Sequence, residues 1–138
     1  MRGLLLGIGV AVGSLLLAVE AVPQALNRWP EGCRNVETTA IRRIHEVHDA
    51  QQIYHLVYGR FAISFSELSD PAKGFLAWRL PDIKYQFQVE GSPTAYVVRA
   101  TPQKYGILGR RTFYSDESKV VREHWGPGLA TATSPEIR

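Results

Sequence analysis

Polarity changes its period twice along the chain. From Leu4 to Val19 every residue is apolar, Gly or Ser, and the run continues through Glu20 to Val22. At a rise of about 1.5 Å per residue, roughly 19 residues reach across a hydrocarbon core about 30 Å thick, so the stretch predicts a transmembrane anchor over 1–23. Pro23 and then Trp29-Pro30-Glu31-Gly32 are breakers that predict a kinked juxtamembrane segment over 24–34. Asn35 is a candidate cap for a second helix running to about Tyr58, with Val36, Ala40, Ile41, Ile44, Val47, Ala50, Ile53, Tyr54 and Val57 as its apolar stripe and Gly59 as terminator. Ser64 followed by Glu67 is a capping-box signature for one short turn through Leu68. Pro71 to Pro81 reads as a loop with apolar anchors at Phe75, Leu76, Trp78 and Leu80.

Beyond that loop the period falls from about 3.6 to 2. Tyr85, Phe87 and Val89 alternate with Lys84, Gln86, Gln88 and Glu90, and Gly91-Ser92-Pro93 turns the chain into Tyr96-Val97-Val98-Arg99-Ala100. Thr112-Phe113-Tyr114 and Val120-Val121-Arg122 flank Ser115-Asp116-Glu117-Ser118, a second hairpin signal. The expected domain over 35–125 is therefore α+β, an amphipathic helix covering one face of a three- to four-stranded antiparallel sheet. The Gly-, Pro-, Ser- and Thr-rich stretch over 126–138 is expected as an extended surface tail.

Composition narrows the function classes. A length of 138 residues, less the apolar stretch, leaves enough chain for one modest core. The net charge of +3 is small and its basic residues are scattered, so no nucleic-acid partner is expected. Cys33 is the lone cysteine, without a partner for an internal disulfide or a CxxC site. The apolar stretch also fits a secretory signal, with Arg2 before the Leu-rich run and Val19-Glu20-Ala21 as a small-residue cleavage site. A retained anchor is the expectation carried forward, with the N-terminus cytoplasmic because Arg2 precedes the helix and Glu20 comes before any further basic residue. Within it Gly9 and Gly13 form a Gly-xxx-Gly pair, and Leu16 and Glu20 extend the same stripe as a candidate helix–helix interface, while Trp29 suits the membrane interface.

Candidate chemistry is sparse. His45, His48, Asp49, Gln52 and His55 are the one constellation of potential ligands, but His45-xx-His48 supplies only two, so neither a metal nor a cofactor is expected. The three histidines are expected to form a solvated or partner-facing polar edge, replaceable together by Gln without loss of fold. Asp116 and Glu117 suit a turn better than a calcium loop. No phosphate-binding loop, nucleophile elbow or paired catalytic carboxylate is present, so no catalytic residue is expected.

In its order of parts the chain resembles a type IV pilin or a major pseudopilin of type II secretion. The resemblance is carried by Thr39-Ala40-Ile41-Arg42-Arg43-Ile44, Gln51-Gln52-Ile53-Tyr54, Tyr58-Gly59-Arg60-Phe61-Ala62 and Ser66-Glu67-Leu68, then by Arg111 to Ser118 and Gly126-Pro127. It departs from the family where a pilin precursor has a polar leader ending in Gly, then Phe, and a glutamate five residues into the mature chain. Leu4-Leu5-Leu6 stands there instead, and Glu20 lies at the other end of the stretch. The resemblance implies a pilin-like domain on the periplasmic side of a bacterial inner membrane. Two functions are expected to compete: a non-catalytic, single-span accessory subunit of a larger secretion, respiratory or photosynthetic reaction-centre assembly, held by lipid bilayer and neighbouring subunits, or an atypical minor pilin or pseudopilin. A third, a secreted binding module, follows if the chain is cut between Ala21 and Val22.

Overall fold

The computed structural model describes residues 31–76 and 84–138. The apolar stretch, with Gly9, Gly13, Leu16, Glu20 and Trp29, lies outside the described residues, as do Trp78 and Leu80. No helix among the described residues is long and apolar enough to cross a membrane.

Residues Glu31–Arg138 form one compact unit of helix α1 (Glu31–Tyr58), the single turn α2 (Phe65–Leu68) and strands β1 (Tyr85–Gly91), β2 (Tyr96–Pro102), β3 (Arg111–Asp116) and β4 (Arg122–Trp125). The sheet is an antiparallel meander in the order β1-β2-β3-β4, and one face of α1 packs on it. The expected α+β layering is thus present, with four strands. Asn35 does not cap the helix: it lies within α1, and residues 31–34, expected in a kinked segment, are helical. A proline just ahead of the first helical residue is well tolerated, because the amide it lacks would have no helical acceptor there.

Alternation sets the sheet's faces. Tyr85, Phe87 and Val89 of β1 and Tyr96, Val98 and Ala100 of β2 are buried against α1, whereas Gln86, Gln88 and Glu90 face outward. From the helix come Ala40, Ile44, Val47, Ala50 and Tyr54. Ile53 and Val57, expected in this stripe, are instead exposed. At 100° per residue they fall opposite Ile44, and the centre of the buried face is occupied by Glu37, Ile44, His48 and Gln51.

The ends of α1 and α2 follow their local chemistry. Gly59 adopts φ 71° and its N–H donates to the His55 carbonyl, ending α1 as expected. Ser64 caps α2 by accepting the Glu67 N–H at 3.3 Å, and the Glu67 carboxylate reaches back to the Ile63 N–H at 2.9 Å.

One expectation near the C-terminus needs correction. The last strand is Arg122–Trp125 rather than Val120–Arg122, because the β3–β4 turn is longer than its sequence signal implied. Asp116 accepts the Ser118 N–H, Lys119 turns at φ 64°, and Val121 drops into the core before pairing begins. The tail is extended but also fastened: Ala130 N–H donates to Thr112 Oγ1, Glu123 N–H to the Pro135 carbonyl and Ile137 N–H to the Val121 carbonyl.

Gly109, just before β3, is required for close approach. A β-carbon there would overlap the Tyr85 ring and hydroxyl, which donates to the Arg111 carbonyl at 2.9 Å. Gly109→Ala is expected to destabilise the domain by about 1–3 kcal/mol through this overpacking, read as a lowered urea midpoint with unchanged slope. A wild-type midpoint would refute the close contact.

Candidate interaction surface

Three polar side chains lie in the centre of the buried helix face, and each fastens α1 to a different part of the domain. Glu37 accepts the backbone N–H groups of Arg110 (2.8 Å) and Arg111 (3.2 Å) and the Arg111 Nε–H (2.7 Å). Arg111 continues to Glu123 at 2.6 Å, and the hydrogen bonds of the two carboxylates hold its guanidinium pKa up despite burial. At the other end of α1, the Gln51 amide donates to the Ala62 carbonyl at 2.9 Å and accepts the Ala62 N–H at 2.8 Å, clamping the chain after the helix.

Between them His48 meets two hydroxyls, Tyr96 at Nδ1 and Ser115 at Nε2, both at 2.7 Å. The Ser115 hydroxyl donates to the Val120 carbonyl at 2.9 Å, so it accepts from His48. The assigned tautomer is therefore the neutral ring protonated at Nε2, with Nδ1 accepting from Tyr96. Burial pushes the imidazole pKa down to about 4, helped by His45 and Lys119, while Asp116 and Asp49 pull the other way. Burial likewise raises the Tyr96 phenol.

A serine touching a histidine invites comparison with a nucleophile and its base. Ser115 is fully buried and gives its proton to a backbone carbonyl, while the Tyr96 hydroxyl occupies the imidazole's acceptor nitrogen. A nucleophile needs its hydroxyl proton directed at the base and a reachable oxygen. This group has neither and works as a fastening. The expected solvated edge of three histidines is corrected here: His45 and His55 are exposed, but His48 is buried and both its ring nitrogens are engaged. Asp49 and Gln52 face solvent, and among the described residues no group of three or more His, Cys, Asp or Glu side chains could hold a metal.

The surface feature that stands out is apolar. In the last turns of α1 the solvent face changes from Arg42, His45, Glu46 and Asp49 to Ile53, Leu56 and Val57, which are 50%, 83% and 61% exposed. Tyr58 and Ile63 are also about half exposed, Tyr58 with its ring against Tyr54 and Phe75, and Gln52, His55, Leu56 and Phe61 line an open cleft of about 320 Å³ beside the cluster. The cleft's rings are in contact: His55 and Phe61 lie tilted with centroids 4.7 Å apart, and Phe61 packs edge-on to Tyr96 at 4.9 Å. Arg60 and Glu67 pair at 2.9 Å nearby, and the guanidinium, with the Ile63 N–H, draws the carboxyl pKa down to about 2. Sequence reading missed this surface by assigning Ile53 and Val57 to the core.

The protein is thus of the small α+β class in which one helix covers a four-stranded antiparallel meander. No family model, curated protein or solved structure matches the chain.

Proposed function

We propose that this chain is a non-catalytic, single-span accessory subunit of a larger membrane complex, with the domain from Glu31 onward outside the cytoplasm. The observation that carries this reading is the apolar cluster of Ile53, Leu56 and Val57 on the solvent face of α1. Clustered aliphatic side chains beside an aromatic-lined cleft suit a protein–protein contact. The sequence stretch from Leu4 to Val22 supplies the anchor, and its Gly9, Gly13, Leu16 and Glu20 stripe supplies a second contact within the bilayer. The domain's buried polar groups serve internal fastening, which agrees with a structural role.

Tagged full-length chain purified from native membranes is expected to bring its partner subunits with it. Leu56→Glu with Val57→Glu should lower their yield severalfold, as should Gly9→Leu with Gly13→Leu. Undiminished partner recovery in both double variants would sink the reading. A second reading, an atypical minor pilin or pseudopilin, is favoured by the order of one long helix followed by an antiparallel meander. It predicts that the chain cofractionates with sheared filaments rather than with an inner-membrane complex.

A further inference from the structure

The domain has two ends, and hydrogen bonds define which residues share each. At one end the Phe61 N–H donates to the Pro93 carbonyl, joining the last turn of α1 to the β1–β2 hairpin. At the other, Glu37 in the early turns of α1 receives the Arg110 and Arg111 N–H groups, Gln103 N–H donates to the Lys84 carbonyl, and Arg111 pairs with Trp125. The early turns of α1, the start of β1, the β2–β3 connection and the end of β4 therefore meet at one end.

This second end combines positive charge with interfacial side chains. Arg34, Lys84, Lys104 and Arg110 are exposed there, whereas Glu37 and Glu123 are both engaged by Arg111. The β2–β3 connection is folded on itself by Gly106 N–H to the Gly109 carbonyl and by Ile107 and Leu108 N–H to the Lys104 carbonyl. Ile107 is 68% exposed on it, beside Tyr105 at 46%, and Trp125 is 54% exposed at the end of β4. Aromatic rings, one aliphatic tip and lysines are the residue types that settle at a bilayer surface, with rings at headgroup level and ammonium groups on anionic phosphates.

We propose that this end, centred on Lys104, Tyr105, Ile107 and Trp125, docks on the anionic headgroup surface of the bilayer. The inference rests on the anchored reading above. Eight residues separate Val22 from Glu31, a tether of about 28 Å at full extension, so the end from which α1 begins stays within reach of the headgroups. The exposed cations Arg34, Lys84 and Lys104, with no exposed acid among the described residues of this end, select a negatively charged surface over another apolar protein face. The opposite end, where Leu56 and Val57 lie, remains available to a protein partner.

The test uses full-length chain in a Cys33→Ser background, carrying a bimane label on Ile107→Cys or, for comparison, on Leu56→Cys. Each is reconstituted in phosphatidylcholine vesicles with or without phosphatidylglycerol and with headgroup spin-labelled lipid as quencher. Quenching at position 107 but not at 56, dependent on phosphatidylglycerol and weakened by high salt, is the expected result. Each lysine removed in Lys84→Gln and Lys104→Gln should lower the docked-to-undocked ratio about fivefold. Equal quenching at the two positions, or quenching indifferent to phosphatidylglycerol, overturns the proposal while leaving the anchor intact. Release of the chain by alkaline carbonate would overturn the anchored reading itself, and this docking with it.

Discussion

Glu37→Ala is expected to destabilise the domain by about 3–5 kcal/mol, the largest effect of any single change in α1. The side chain is fully buried and accepts two backbone N–H groups and the Arg111 Nε–H, so its loss leaves three donors without this acceptor in the interior. Small domains hold only about 5–15 kcal/mol in total, so the urea midpoint should fall by a large fraction of its value. Removing the guanidinium as well, in Glu37→Ala with Arg111→Met, should recover part of the loss, because the residual charge would no longer be buried beside an empty site. A single-variant cost below about 1 kcal/mol, the range of surface pairs, would show that the pair is not the fastening described.

The second large effect is a pH dependence owed to His48. Its folded pKa lies near 4 against an ordinary value of 6.5, because burial disfavours the imidazolium. Between these values the unfolded chain binds more protons than the folded one, so stability rises with pH across the window and is complete above about 6.5. As pH falls from 6.5 to about 4, the shift is worth about 3 kcal/mol of lost stability. Unfolding free energies of wild type and His48→Gln, measured across that range, should show the slope only in wild type. Parallel slopes would sink the assignment. Glu67 acts in a separate window, its folded pKa of about 2 lying below the ordinary 4.5, so its contribution is lost only at lower pH.

These two groups also show how far the sequence could be read. Alternation in Tyr85-Gln86-Phe87-Gln88-Val89 determined both faces of β1, since a strand with one buried face has little freedom of register. Gly59 and the Ser64–Glu67 pair marked the ends of α1 and α2 because capping is local chemistry. The helix stripe was half legible. Ala40, Ile44, Val47, Ala50 and Tyr54 are in the core, but an apolarity criterion also admits Ile53 and Val57 and passes over Glu37, His48 and Gln51. Burying those three depends on partners far along the chain, at Arg111, Ser115 and Tyr96, and on the Ala62 backbone. A signal was present nonetheless: positions 37, 44, 48 and 51 recur at intervals of seven, four and three, the spacing of one helix face. The apolar cluster on the solvent face was hidden by the same error, because a side chain assigned to the core is not sought on the surface.

The fastened tail has a consequence for how the molecule behaves in company. The outer border of β4 would otherwise offer unpaired amides and carbonyls to any passing strand, and a sheet border left open is a template for end-to-end polymerisation. Here the chain's own last residues occupy that border, with Glu123 N–H bonded to Pro135, Arg122 bridged to Glu136 and Ile137 N–H bonded to Val121. At the far border Ser64 bridges Glu90 and shortens the exposed run of β1. With both borders partly occupied, neighbouring copies are hindered from zipping together edge to edge.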